Sequence, residues 1–163
     1  MTAKDAIKSV SNFNMHVLET YLSDLSDADL LTRVVPGANH IAWQLGHLIS
    51  SEISMLSMIP GGSPLELPAG FAERHGKETA KLDPPKNFLT KAEYVSIFKK
   101  VREQTMAKLD KLPDADLDKP NTGSMAKFCP TIGSLFLLAA NHQMMHAGQF
   151  AVLRRKLGKP ILM

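Results

Sequence analysis

The segment NHQMMHAGQF, residues 141–150, carries His142 and His146 four positions apart. On a helix that spacing turns through roughly 40° and rises about 6 Å, so two imidazoles can close on one ion. They belong to the stripe Ile132, Leu135, Phe136, Ala139, His142, His146, Phe150 and Leu153, whose helical period puts both rings on the core-facing side. A buried polar group without a partner costs on the order of 1–3 kcal/mol, and a shared metal ion removes that cost. A pair at this spacing also occurs as plain structure, and it is the third histidine that tips the reading. His47 lies mid-way along another amphipathic segment, one turn after Trp43, where a bundle can bring it opposite the pair, and metal sites in bundles are built from inward side chains on facing helices. His47, His142 and His146 are therefore read as ligands of one divalent metal ion.

Three neutral imidazoles leave the charge of such an ion uncompensated and one coordination position open, the arrangement of a catalytic rather than a structural site. Bound water then has its pKa lowered to about 7, and a bound thiol ionises. Catalytic residues beyond the ligands stay unknown from sequence. Glu52, five positions past His47, reads as an exposed helical glutamate, with the rim of the site as the alternative. Gln44, Asn141 and Gln149 flank the ligands and are candidates to accept an imidazole N–H. His16, His40 and His75 read as solvated or locally hydrogen-bonded, Trp43 as core, and Arg154 and Arg155 as complements to a helix C-terminus.

Four helical segments must position these groups. Thr2 and Asp5 open the first, over 3–22, with Ile7, Val10, Phe13, Val17, Leu18 and Leu22 on its apolar side. Asn39 is the expected N-cap of the second, over 40–57. Thr90 and Glu93 cap the third, over 91–112, and Thr131 the fourth, which Gly158 and Pro160 stop near 157. Between residues 59 and 89 stand Pro60, Pro64, Pro68, Pro84 and Pro85, five of the ten prolines, so this stretch is a connection rather than an element. Loops of that length are functional or disordered. Leu65, Leu67 and Phe71 give it side chains to dock with, and it is expected to lie over the bundle as a lid, Phe71 shaping a pocket at the metal. The fold class is all-α, one four-helix-bundle domain over 1–163.

Composition bounds the partners. Lysine and arginine are scattered among nearly as many acids, giving a net charge of +3 without a basic block, so no nucleic-acid partner is expected. Cys129 is the single cysteine, which excludes an internal disulfide and fits packing in a reducing compartment. No secretory signal pattern and no long apolar run appears, so the expected location is the cytoplasm, with no membrane partner. The chain should fold alone or as a small oligomer such as a homodimer.

PGANHIAWQLGHLISSE, LPAGFAERHG and NHQMMHAGQFAVLRRKLGKP together resemble the DinB/YfiT-like metalloenzyme superfamily, from about residue 10 to the end. The resemblance implies a four-helix bundle with long crossover connections, in which His47, His142 and His146 match the family's three-histidine site for zinc or nickel. It also implies a small-molecule substrate, a low-molecular-weight thiol among the candidates, because the superfamily includes transferases and isomerases that use bacillithiol or mycothiol. The DNA-damage association of the name concerns regulation, not an activity on DNA. Two function classes follow. One is a metal-dependent enzyme, a thiol S-transferase or a hydrolase working through the same activated nucleophile. The other is a non-catalytic, metal-stabilised binding or scaffold protein; a metal-free bundle with buried histidines ranks below both.

Overall fold

A computed structural model of the chain describes residues 1–61, 65–81 and 88–162; Pro64, Pro84 and Pro85 lie outside them. Its helices are α1 (Ala3–Leu22), α2 (Asp27–Leu30), α3 (Ile41–Ser57), α4 (Phe71–Arg74), α5 (Lys91–Lys111) and α6 (Ile132–Lys156). Capping explains most of the boundaries. Thr2, Thr90 and Thr131 each accept a hydrogen bond from the backbone N–H three residues on, and the side chain there accepts one from the backbone N–H of the cap. Gly158 terminates α6 at φ +68°, a left-handed conformation that L side chains rarely adopt. Two differences from the sequence reading are local. The cap of α3 is His40, not Asn39: its Nδ1 accepts from the Trp43 N–H at 3.1 Å. The turn α2 went unpredicted although Ser26 and Asp29 form a capping box.

The four long helices make the bundle, and among the described residues no strand forms beyond one antiparallel bridge between Pro120 and Thr131. Packing runs from α1 to α6, to α3, to α5 and back to α1. Successive long helices α1 and α3 therefore stand diagonally, as do α5 and α6, and their connections cross the ends of the bundle. The apolar stripes fill it with two clusters, one around Leu18, Leu45, Phe98 and Phe150, the other around Leu56, Leu109, Leu135 and Phe136. Phe13, expected on the inner side of α1, is 54% exposed. No helix among the described residues is long and apolar enough to cross a membrane.

Polar side chains also occupy the interior. Arg102 of α5 is buried and pairs with Glu52 of α3 at 2.9 Å. Its guanidinium also donates to Ser11 of α1 at 3.3 Å, and to Gln143 and the Ala139 carbonyl of α6 at 3.0 and 3.3 Å. Thr105 donates to the other Glu52 oxygen at 2.7 Å. Burial pushes the Glu52 carboxyl upward in pKa, and Arg102 and Thr105 oppose that shift. The exposed glutamate expected at 52 is thus a core residue. Arg154, read as a complement to the C-terminal end of α6, is fully buried, donating to both oxygens of Asp24 and to the carbonyls of Tyr21 and Pro160.

Removing one member of the Glu52–Arg102 pair leaves the other charged and desolvated. Arg102→Met alone is expected to destabilise the fold by about 3–5 kcal/mol, whereas adding Glu52→Leu should recover most of that loss. Equilibrium urea denaturation of the two variants and the parent checks this; equal destabilisation by the single and double replacements would contradict it.

Candidate metal centre

The packing of α3 against α6 brings His47 against the His142–His146 turn. Ring centroids lie 5.2 Å apart for His47 and His142, 5.5 Å for His47 and His146, and 4.9 Å for His142 and His146. One potential ligand nitrogen from each falls within 4.8 Å of the others, and no aspartate, glutamate or cysteine joins the group among the described residues. The indole of Trp43, one turn before His47, stacks on its ring at 5.0 Å and 6° between planes, limiting the orientations it can take.

Hydrogen bonding fixes which nitrogen of His146 is free. The Gln44 amide group donates its N–H to the Asn39 carbonyl at 2.8 Å, so its oxygen faces the His146 Nδ1 at 2.8 Å. Nδ1 is then the protonated nitrogen and donates, and the Nε2 lone pair points to His142 Nε2, 3.2 Å away. The space between those two atoms accommodates one proton or one cation. Two ligands sharing a tetrahedral ion at about 2.0–2.1 Å are separated by a similar distance. The donor set fits a small divalent metal ion: three imidazoles, two on one rigid helix and one on another, with an amide orienting the most buried of them.

All three rings are held neutral. Burial, with the His47 ring contributing, lowers His142 to about 4. Burial, then His142 and His47, does the same to His146, again to about 4. His47 is lowered by burial and by the charge of Lys77. Neutral imidazole is the form that ligates a metal, so no proton must be displaced near neutral pH.

A cavity of about 540 Å³ opens on His47 and His142. The 59–89 connection does border it, through Ala72, His75 and Gly76. Phe71 does not: it is buried in the core against the His75 and Tyr94 rings. Leu65 and Leu67 pack partly buried against the same cluster. The connection is tied to α3 at two points. Trp43 Nε1 donates to the Gly76 carbonyl at 3.0 Å. The His75 ring fills the place of a side chain at Gly46, where a Cβ would come within 2.0 Å of it.

Of the histidines expected to be solvated or locally hydrogen-bonded, His16 is exposed, while His40 and His75 are buried and bonded locally, to the Trp43 N–H and the Phe71 carbonyl. His75 donates from Nδ1 to the Phe71 carbonyl at 2.7 Å and accepts at Nε2 from the Tyr94 hydroxyl at 2.6 Å; burial lowers its pKa to about 4. His40 meets the edge of Phe88 at 4.7 Å. Of the three flanking polar residues, Gln44 bonds a histidine of the cluster, while Asn141 and Gln149 face solvent. Cys129 is packed, its thiol pushed up by burial.

A sequence model of the DinB superfamily matches residues 13–150. No curated protein matches the sequence. Among solved structures, a conserved protein from Enterococcus faecalis superposes with a TM-score of 0.75 over 98% of this chain and 99% of that one, at 18% identity. That likeness establishes a shared fold.

The depressed histidines set a pH dependence. From the ordinary value of 6.5 down to about 4, the unfolded chain takes up protons that His75, His142 and His146 refuse in the fold. Stability of metal-free protein therefore falls as pH drops through that window. His142→Gln lacks one such group and should lose less over the same range. Thermal melts in a chelating buffer across the window read the difference, and an unchanged slope would rule out burial of His142 as a neutral ring.

Proposed function

The chain belongs to the DinB superfamily, and from that premise we propose that it is a metal-dependent enzyme whose His47, His142 and His146 hold one zinc or nickel ion facing a substrate cavity. One observation carries the reading: three neutral imidazoles, with no acidic or thiolate donor among them, converge where a cavity of about 540 Å³ opens. An ion tying helices together for stability alone has no need of that space. The cavity thus favours a turnover site over a scaffold.

A divalent ion in this position supplies Lewis acidity and lowers the pKa of a water or thiol brought beside it. The residues of the chain do the rest. Gln44 holds the His146 tautomer, Trp43 holds the His47 plane, and the 72–76 segment walls one side of the cavity. Among the described residues that line the cavity there is no aspartate or glutamate to serve as a separate general base. Reactions in which the activated nucleophile itself attacks are the ones this set suits: transfer of a thiol sulfur to a carbon electrophile, or hydrolysis. S-transfer with a low-molecular-weight thiol is the reading we adopt, and turnover of a panel of thiols and electrophiles after metal analysis of untagged protein tests it against hydrolysis.

Metal binding is testable on its own. An ion at one hundred times its Kd adds about 2.7 kcal/mol to the folded state; zinc or nickel should therefore raise the melting temperature of the parent protein and leave His146→Ala almost unmoved. Gln44→Ala should keep the three ligands yet bind metal about 10–100-fold more weakly, as loss of a ligand's hydrogen-bond partner does. Equal melting shifts in parent and His146→Ala would identify the histidines as packing residues only.

A further inference from the structure

The cavity wall has a chemical character that the metal reading leaves unused. Among the described residues lining it there is no lysine, arginine, aspartate or glutamate. Much of the lining is apolar and soft: Met125, Leu138 and Met145, with Phe128, and Met55 contributed by α3. Phe128 is 74% exposed and Met145 65% exposed, so two large apolar side chains of a concave surface are left facing water. A wall of this kind is completed by an apolar ligand, and the unbranched methionines adapt to its shape.

Beside Met55, α3 presents Ser50, Ser51 and Ser54 to the cavity. Ser50 stands three residues past His47, on the same face of the helix. Its Oγ is buried and has no hydrogen-bond partner among the described residues. Hydroxyls on helices commonly satisfy themselves on the carbonyl a turn earlier; this one does not, and its residue lines the cavity three positions past a histidine of the cluster. An orphan hydroxyl there calls for a ligand atom.

We propose that the cavity takes a small molecule with an uncharged, apolar body and a polar head, the head hydrogen-bonded by Ser50 next to His47 and the body lying on Phe128 and the methionines. The proposal rests on the reading of this cavity as the substrate site, not on the identity or presence of the ion. Any charge on the ligand is confined to the head: a charged body would be stripped of water against a wall that offers no counter-ion. Lys77 acts on His47 through its field only, being exposed and outside the lining. Alkyl or aryl thiols and alcohols satisfy these conditions. Thiols decorated with carboxylates do not.

The test uses the full chain in chelating buffer, with 4-phenylbutan-1-ol as the probe and 4-(4-hydroxybutyl)benzoate as the same molecule carrying a charge on its body. Titrations followed by amide chemical shifts should show 4-phenylbutan-1-ol saturating a site around residues 50–55 and 125–128, with the benzoate at least roughly tenfold weaker. Ser50→Ala and Phe128→Ala should each weaken the alcohol about five- to tenfold. Phe128 is exposed enough that its replacement leaves the fold intact. Equal affinity for the two probes, no saturable binding, or full affinity in both variants overturns the proposal. Failure of the protein to bind zinc or nickel would instead overturn the metal reading and leave these titrations unaffected.

Discussion

The guanidinium of Arg102 sits where the four long helices meet. It reaches from α5 to Ser11 on α1, Glu52 on α3, and Gln143 and the Ala139 carbonyl on α6. Apolar stripes can slide past one another by a turn at little cost, because one leucine fills a gap much as another does. An ion pair with directed hydrogen bonds cannot. Taking two charges out of water consumes much of what their attraction returns, so such a pair is a weak source of stability; what it supplies is a single axial register. Burial of Arg102 at 6% exposure and Glu52 at 2% makes any slipped arrangement one in which a charge is desolvated without its partner.

That register is what the metal centre inherits. Gln143 adjoins His142 and precedes His146 by three residues, and Glu52 follows His47 by five. Fixing Glu52 and Gln143 on the same guanidinium therefore fixes the height at which His47 faces the α6 pair. Arg154 repeats the device at the far end of α6, where it binds the Tyr21 carbonyl and the Asp24 carboxylate beyond α1. Asp24 is held below the usual carboxylate range chiefly by its hydrogen bond from Arg154. With α6 pinned at its middle and its end, the two imidazoles it carries have little freedom to drift from the third.

The histidine cluster and the long helices were legible because each depends on local periodicity. His142 and His146 lie on the stripe that also carries Phe136 and Phe150, and Thr2, Thr90 and Thr131 announce their helices. The polar interior was missed although its signal was present. Glu52 continues the stripe Ile41, Leu45, Leu48, and Arg102 continues Tyr94, Phe98. A charge in register with an apolar stripe on two different helices is the pattern of a buried pair, whereas either alone reads as surface. The burial of His75 and Phe71 was not legible for another reason. No period exists in their segment, and their burial depends on the empty face of Gly46 some thirty residues away, which becomes visible only when α3 and α4 are packed together.

A chain of hydrogen bonds links the start of α3 to the chemistry of α6. The Asn39 carbonyl, in the turn before α3, accepts from the Gln44 amide N–H and thereby fixes which way the amide faces. The Gln44 oxygen accepts from His146 Nδ1 and thereby fixes the tautomer of that ring. Had Asn39 taken the cap position, its own backbone would belong to the helical start, and its carbonyl would be committed to the first intrahelical bond. With His40 capping instead, that first bond goes to the His40 carbonyl from Gln44 N–H at 3.1 Å, and the Asn39 carbonyl stays available one residue outside. A cap displaced by one residue thus determines that His146 presents a lone pair, rather than a proton, at the nitrogen facing His142.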